Sequence, residues 1–210
     1  MAAGQMAGAA AEPALRRQPT QRRSREKVER ILGCATALIA EGGSDAMRMS
    51  ELAAQAGISI GALYQYFPDK SAVIRALAER CSADGRHCIE EGLREVHSLA
   101  AFREAFGALI DTYYGVFLAE PAMRDIWSGT QADPALRQIE LADSRANAAL
   151  LTEVLAPLRP AADRSLLAAE AFLVFHLGEA TMRLAVSVPR AEGDAMVAAY
   201  KRMALVQLCG

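Results

Sequence analysis

The residues with the clearest capacity for site chemistry lie between Glu51 and Lys70, in the run ELAAQAGISIGALYQYFPDK. Ala53, Gly57 and Leu63 stand at the offsets of two short helices packed across a tight turn. The small residue admits the second helix, the glycine takes the turn, and the branched apolar residue locks the pair. If Leu63 and Phe67 turn inward, the second helix presents Ser59, Ile60, Gly61, Ala62, Tyr64, Gln65 and Tyr66 on its outer face or edges. Tyrosine hydroxyls and helix N-terminal amides bind phosphate oxygens, while Gln65 can hydrogen-bond base edges. Such a helix fits a DNA major groove.

A basic run precedes it. Arg16, Arg17, Arg22, Arg23, Arg25, Lys27 and Arg30 meet only Glu26 and Glu29, the usual electrostatic footprint of phosphate contact. The 210-residue chain has a formal charge of −2, yet its first 80 residues hold eleven basic against eight acidic side chains, and the rest hold twelve against seventeen. A +3 N-terminal unit is therefore joined to a −5 body, and the two face different partners.

Enzymatic patterns are missing. His176-Leu-Gly-Glu179 places a histidine and a carboxylate on one helix face, but a di-metal bundle needs two Glu-x-x-His motifs, and neither His87 nor His97 has a glutamate three residues before it. No phosphate-binding glycine loop, Gly-x-Ser-x-Gly elbow or His-Glu-x-x-His occurs. Cys34, Cys81, Cys88 and Cys209 lack Cys-x-x-Cys spacing, which predicts reduced thiols, no zinc and no cofactor. In Met1–Pro13 the small residues precede the arginines, the reverse of a signal peptide, and no run reaches the ~18 uninterrupted apolar residues of a membrane span. A cytoplasmic protein without a membrane partner is expected.

The elements that must position these groups are helices throughout, since apolar residues recur at three and four and strand alternation is absent. Val28, Ile31, Leu32, Ala35, Leu38 and Ile39 form a stripe ending before Gly42-Gly43. Short helices follow over Met49–Ala56 and Ile60–Phe67, the second capped by Ser59 and ended by Pro68. Asp69 caps the next. Beyond residue 80, helices are predicted over Ser82–Val96, Ala100–Ala119, Pro121–Ser128, Pro134–Leu155, Asp163–Val186 and Ala191–Leu208, with prolines at the joints.

On Leu52-Ala53, Ala56-Gly57-Ile58-Ser59, Gly61, Leu63-Tyr64, Tyr66-Phe67 and Lys70 the sequence resembles the tetracycline-repressor (TetR) family of bacterial transcriptional regulators. The resemblance implies an all-α fold in which an N-terminal three-helix helix-turn-helix DNA-binding domain meets a larger helical domain for ligand binding and dimerisation. It divides the chain into a flexible basic arm (1–24), a DNA-binding domain (25–80) and a ligand and dimer domain (81–210). The expected partners are double-stranded operator DNA, a small-molecule effector and a second copy of the chain. Tyr64 and Tyr66 then resemble the recognition-helix tyrosines and Lys70 a phosphate-binding lysine, with Arg25 on the basic flank. Ile60 stands where the family often has Lys, Arg or Thr, and Ala62 where Thr or Ser is common. Arg48 replaces a capping Thr or Ser: it can bind phosphate by charge but cannot cap with an oxygen.

In the acidic body, Tyr113, Tyr114, Phe117, Met123, Trp127, Phe172, Phe175, His176 and Met182 concentrate the aromatic and methionine content. Each residue alone fits an ordinary bundle core; as a set, taken with the resemblance, they fit an apolar ligand cavity, with Trp127 and Tyr114 first among its lining. Ala171, Phe175, Gly178 and Met182 recur at four, three and four. With Met196, Tyr200, Met203 and Val206 on the last helix they suggest a four-helix interface between two subunits, the other reading being burial inside one subunit.

Overall fold

The computed structural model describes residues 22–129 and 132–210, so Arg16 and Arg17 of the basic arm lie outside the described residues. Nine helices and no strands occur among the described residues: α1 (Arg22–Ala46), α2 (Met49–Gln55), α3 (Ile60–Tyr66), α4 (Lys70–Leu93), α5 (Leu99–Ala119), α6 (Pro121–Ser128), α7 (Pro134–Leu155), α8 (Arg164–Ala185) and α9 (Arg190–Cys209). Arg22, Arg23 and Ser24 form the first turn of α1, which moves the end of the expected arm back from residue 24.

Local chemistry sets most helix ends. Ser59, Asp69, Ser98, Asp133 and Asp163 each take an extended backbone and accept from an amide of the following first turn. Such a cap is worth about 1 kcal/mol. Pro121 and Pro134 occupy the first helical position, where the missing N–H costs nothing. Gly43, at φ 81°, kinks α1 where the sequence predicts its end; the chain then winds on to Ala46.

The largest departure is α4. The sequence suggests a joint near residue 81, whereas one helix runs unbroken from Lys70 to Leu93 and is about 36 Å long at the 1.5 Å rise. Nothing at the expected joint breaks it: no proline stands there, and Gly85 lies in open space.

Packing divides along this rod. Val28, Ile31, Leu32, Ala35 and Ile39 of α1 close on Leu52, Ala53, Leu63 and Phe67, and the start of α4 adds Ala72, Val73 and Leu77. Fully burying each of the larger side chains contributes roughly 1.5–3 kcal/mol. Beyond Leu77, α4 packs on α5, α6 and α7, while α8 packs between α7 and α9. By length and composition alone α8 could cross a membrane, but its Leu167, Ala171, Val174, Gly178, Met182 and Ala185 face is buried within the bundle.

Candidate DNA-reading face and effector cavity

Gly57, at φ 64°, makes the turn between α2 and α3; the following Ile58 amide donates to the Ala53 carbonyl at 3.0 Å. That left-handed conformation suits glycine and strains a residue with a Cβ. Leu63 and Phe67 are fully buried, which fixes the rotation of α3 and leaves Ile60, Gly61, Tyr64 and Gln65 outward. Ile60 is 43% exposed and Tyr64 42%, which leaves both free to meet a partner surface. Arg25 and Arg48 are exposed on the same unit.

Four of the sequence-derived contacts are modified. The Ser59 hydroxyl accepts from the Ala62 amide at 3.1 Å, so both groups serve the cap, and the Ala62 side chain is half-buried. Tyr66 leans on α1: the Ser24 hydroxyl donates to its oxygen at 3.3 Å, and Lys27 Nζ lies 5.9 Å from its ring centre. Lys70 donates to the Asp45 carbonyl at 2.9 Å, closing the kinked end of α1, although its ammonium keeps two further protons for a phosphate.

A cavity of about 400 Å³ opens in the larger domain. Its apolar wall comes from Leu77 and Ile89 of α4, Phe106, Ile110 and Val116 of α5, Met123, Ile126 and Trp127 of α6, and Phe175 and Met182 of α8. Of the expected lining, Tyr113, Met123, Trp127 and Phe175 are present. Tyr114, Phe117, Phe172 and His176 are not. The Tyr114 ring faces the Arg190 guanidinium, Phe117 is fully buried in the core, and Phe172 packs between Arg145 and His176.

Gly178, Met182 and Tyr200, expected at a subunit interface, line the cavity instead, as does Phe175. Ala171, Gly178 and Met182 are buried inside the subunit and cannot reach a partner. A Cβ on Gly178 would meet the Tyr200 hydroxyl at 2.8 Å, so this glycine serves the close approach of α9 to α8. Met196 is half-buried, while Met203 is 68% exposed.

Polar groups gather at one end of the cavity. The Tyr113 hydroxyl donates to Glu179 Oε1 at 2.5 Å. Arg86 donates to Asp143 Oδ1 and Asn147 Nδ2 to Asp143 Oδ2, each at 3.0 Å. Deeper in the bundle, Arg183 pairs with buried Glu140 at 2.7 Å. Burial, with no cation bonded to it, pushes Glu179 up to about 7 against the relief given by the Tyr113 bond. Burial and the Glu179 charge raise the Tyr113 phenol well above its ordinary value, and burial also raises Asp143.

The sequence does not single out Ser82, Arg86, Asp143 or Asn147, and it presents Glu179 only in a metal-ligand pattern. A signal exists on α7: Glu140, Ser144 and Asn147 recur at four and three on the face that also carries Leu136, Ala148 and Leu151. Polar residues set into an apolar stripe are costly unless partnered, so they point to buried pairs or a ligand. Among the described residues no group of three or more His, Cys, Asp and Glu side chains is placed to hold a metal ion.

Comparisons with known proteins match each of the two parts of the chain to a family model. A family model described as "Tetracyclin repressor-like, C-terminal domain" matches residues 100–209, and one described as "Bacterial regulatory proteins, tetR family" matches residues 31–77. The uncharacterized HTH-type transcriptional regulator YvdT of Bacillus subtilis is 30% identical over 118 residues, 54% of this chain and 58% of that protein. The HTH-type transcriptional repressor KstR of Rhodococcus jostii is 37% identical over 67 residues, 30% of this chain and 32% of that one. The chain thus spans somewhat over half the length of the first relative and about a third of the second. Among solved structures, the transcriptional regulator FadR from Bacillus subtilis in complex with stearoyl-CoA superposes with a TM-score of 0.63 at 19% identity, over 87% of this chain and 97% of that one. At that identity the likeness is one of fold.

Proposed function

Because the chain belongs to the tetR family of bacterial regulatory proteins, DNA-binding transcriptional regulators and not enzymes, we propose that it is a cytoplasmic repressor released from its operator by a small, largely apolar effector. A homodimer places two α3 helices in successive major grooves of a palindromic site, with half-sites ~34 Å apart. Tyr64, Gln65, Ile60 and the Gly61 backbone face the bases. Arg25, Arg48 and the free protons of Lys70 face phosphates.

The observation that carries this reading is the continuity of α4. Its first turns, Ala72, Val73 and Ala76, belong to the core that holds α3, and its later turns, from Leu77 through Ile89, line the cavity. A ligand that prefers one tilt of this rod changes the spacing of the two recognition helices and shifts the population away from the DNA-bound form. A second route runs through α6, where Asp125 Oδ2 accepts from the Ser44 amide at 3.0 Å, just past the Gly43 kink, and Met123, Ile126 and Trp127 line the cavity.

For the second copy, the supporting surface is the outward face of α8 and α9. Leu166, Leu173, Leu177 and Leu184 recur at seven, four and seven along about 27 Å of α8, all exposed, beside exposed Met203 and Val206 of α9. A two-fold axis along this stripe sets α8 and α9 of each subunit against those of the other in a four-helix bundle. This face replaces the Ala171–Met182 stripe as the dimer surface.

Footprinting on DNA flanking the protein's own gene tests the reading. Protection of two symmetric half-sites, lost with Tyr64→Ala, is the expected result. Protection spread evenly over all fragments, unchanged by Tyr64→Ala, overturns it.

A further inference from the structure

The polar end of the cavity has a definite sign. Four acidic residues line the cavity, exposed Asp84 and Glu120 and the more buried Asp143 and Glu179, against one basic residue, Arg80, which is itself bonded to Glu29 and Thr36. Arg86 pairs with Asp143 and Arg183 with Glu140, so Glu179 is the buried carboxylate in this group with no cation bonded to it. Asp143, bonded to Asn147, acts electrostatically on both Tyr113 and Glu179, which brings these groups to one end.

At this end the unmet groups on the cavity wall are acceptors and one hydroxyl; the unbonded Arg86 Nε, a donor, belongs to a residue that does not line the cavity. Among the described residues, Glu179 Oε2 and Asn147 Oδ1 are buried and without a partner. Both are acceptors. The Asn147 assignment follows from chemistry, since its amide nitrogen must face the Asp143 carboxylate and leaves the carbonyl oxygen as the free group. Ser82 Oγ, also buried and unpartnered, is a hydroxyl that can serve either way. Asn147 is 5% exposed and Ser82 6%, and both line the cavity, so these are buried groups on its wall.

We propose that the effector is a lipophilic monocation, an apolar amine carrying its proton, whose ammonium head donates to Glu179 Oε2 and Asn147 Oδ1 while its hydrocarbon or aromatic body lies along Phe106, Ile110, Met123 and Trp127. This rests on reading the cavity as the effector site. A buried carboxylate with no cation is costly, and a ligand ammonium supplies both the missing charge and the missing donors. A neutral alcohol satisfies an acceptor but leaves the charge in place. A carboxylate adds a second negative charge beside Glu179 and brings no donor.

Trp127 is the single tryptophan of the chain and lines the cavity, so its fluorescence reports occupancy. Three probes of one skeleton, 4-phenylbutylammonium, 4-phenylbutanol and 4-phenylbutanoate, are titrated at pH 8 into the full chain and into Glu179→Gln. The substitution keeps the shape and an acceptor for Tyr113 and removes the charge, and circular dichroism checks that the variant is folded. The ammonium is expected to bind at least ~tenfold more tightly than either other probe, and Glu179→Gln to remove that preference while leaving 4-phenylbutanol within ~threefold. Binding of the carboxylate or alcohol as tight as that of the ammonium, or a preference that survives Glu179→Gln, overturns the cationic class while the cavity stands as a ligand site. Failure of all three to bind overturns both.

Discussion

Glu179→Gln also gives the sharpest physical test of the buried carboxylate, through the pH dependence of folding. The Glu179 carboxyl is held at about 7 in the folded chain, mainly by burial, against an ordinary value of 4.5. The groups that act on it are Tyr113 on α5, Glu140 and Asp143 on α7 and Arg183 on its own helix, and its charge acts in turn on Tyr200 of α9. Between these two values the folded chain keeps a proton that the unfolded chain releases. Stability therefore falls as pH rises through this window, and the loss is complete above the folded value. At roughly 1.4 kcal/mol per pH unit the gap converts to a ceiling of about 3 kcal/mol, a large part of the 5–15 kcal/mol that holds a typical domain. Urea unfolding at fixed protein concentration, at pH 5 and pH 8, reads it directly. Wild type minus variant should shift by about 2–3 kcal/mol between the two conditions, the variant gaining at the higher pH, because part of the wild-type loss has already occurred at pH 5. Other titrating groups are common to both chains and cancel. Parallel stability curves for the two proteins would instead mean that Glu179 ionises as easily folded as unfolded.

Three further perturbations separate the roles of the helices. Leu173→Arg, on the outward face of α8, should yield monomers in sedimentation with little change in the circular dichroism of the subunit; an intact dimer places the interface elsewhere. Gly193→Ala should destabilise the fold by about 1–3 kcal/mol or more in thermal or urea melts, because the new Cβ would stand 2.3 Å from the Ala185 carbonyl oxygen, and an unchanged midpoint contradicts the close approach of α9 to the end of α8. Asp125→Ala removes the acceptor for the Ser44 amide and should leave ligand affinity at the Trp127 signal nearly intact while reducing the ligand's effect on DNA binding several-fold; full retention of that effect assigns the coupling to α4 alone.

The DNA-reading unit was legible because its rules are local. Ala53, Gly57 and Leu63 each answer a steric demand of the turn, and the expected caps at Ser59 and Asp69 both form. The second domain was legible as helices but not as faces. Helix α8 carries two apolar stripes, Ala171–Val174–Gly178–Met182 and Leu166–Leu173–Leu177–Leu184, and periodicity alone does not say which one packs within the subunit. Residue size decides it: the stripe with Ala171 and Gly178 lets Tyr200 approach, so it turns inward and the leucines stay outside. The cavity suffered the same ambiguity, since Tyr113 and Tyr114 are adjacent in sequence yet face opposite ways, one toward Glu179 and the other toward Arg190. The polar end escaped notice because it is assembled from α4, α5, α7 and α8, which contribute Ser82, Tyr113, Asn147 and Glu179 from positions far apart in the chain.

In the proposed mechanism the cavity and the DNA-reading face are two sites on one equilibrium, joined through α4. Linkage makes that claim quantitative, because any factor by which a ligand weakens DNA binding must equal the factor by which DNA weakens the ligand. The decisive measurement is a pair of titrations on the same preparation: anisotropy of labelled operator DNA with and without a ligand that quenches Trp127, and Trp127 quenching with and without operator. A loss of at least ~fivefold is expected in each titration, the same within error. A ligand that saturates the Trp127 signal and leaves operator affinity unchanged contradicts that mechanism.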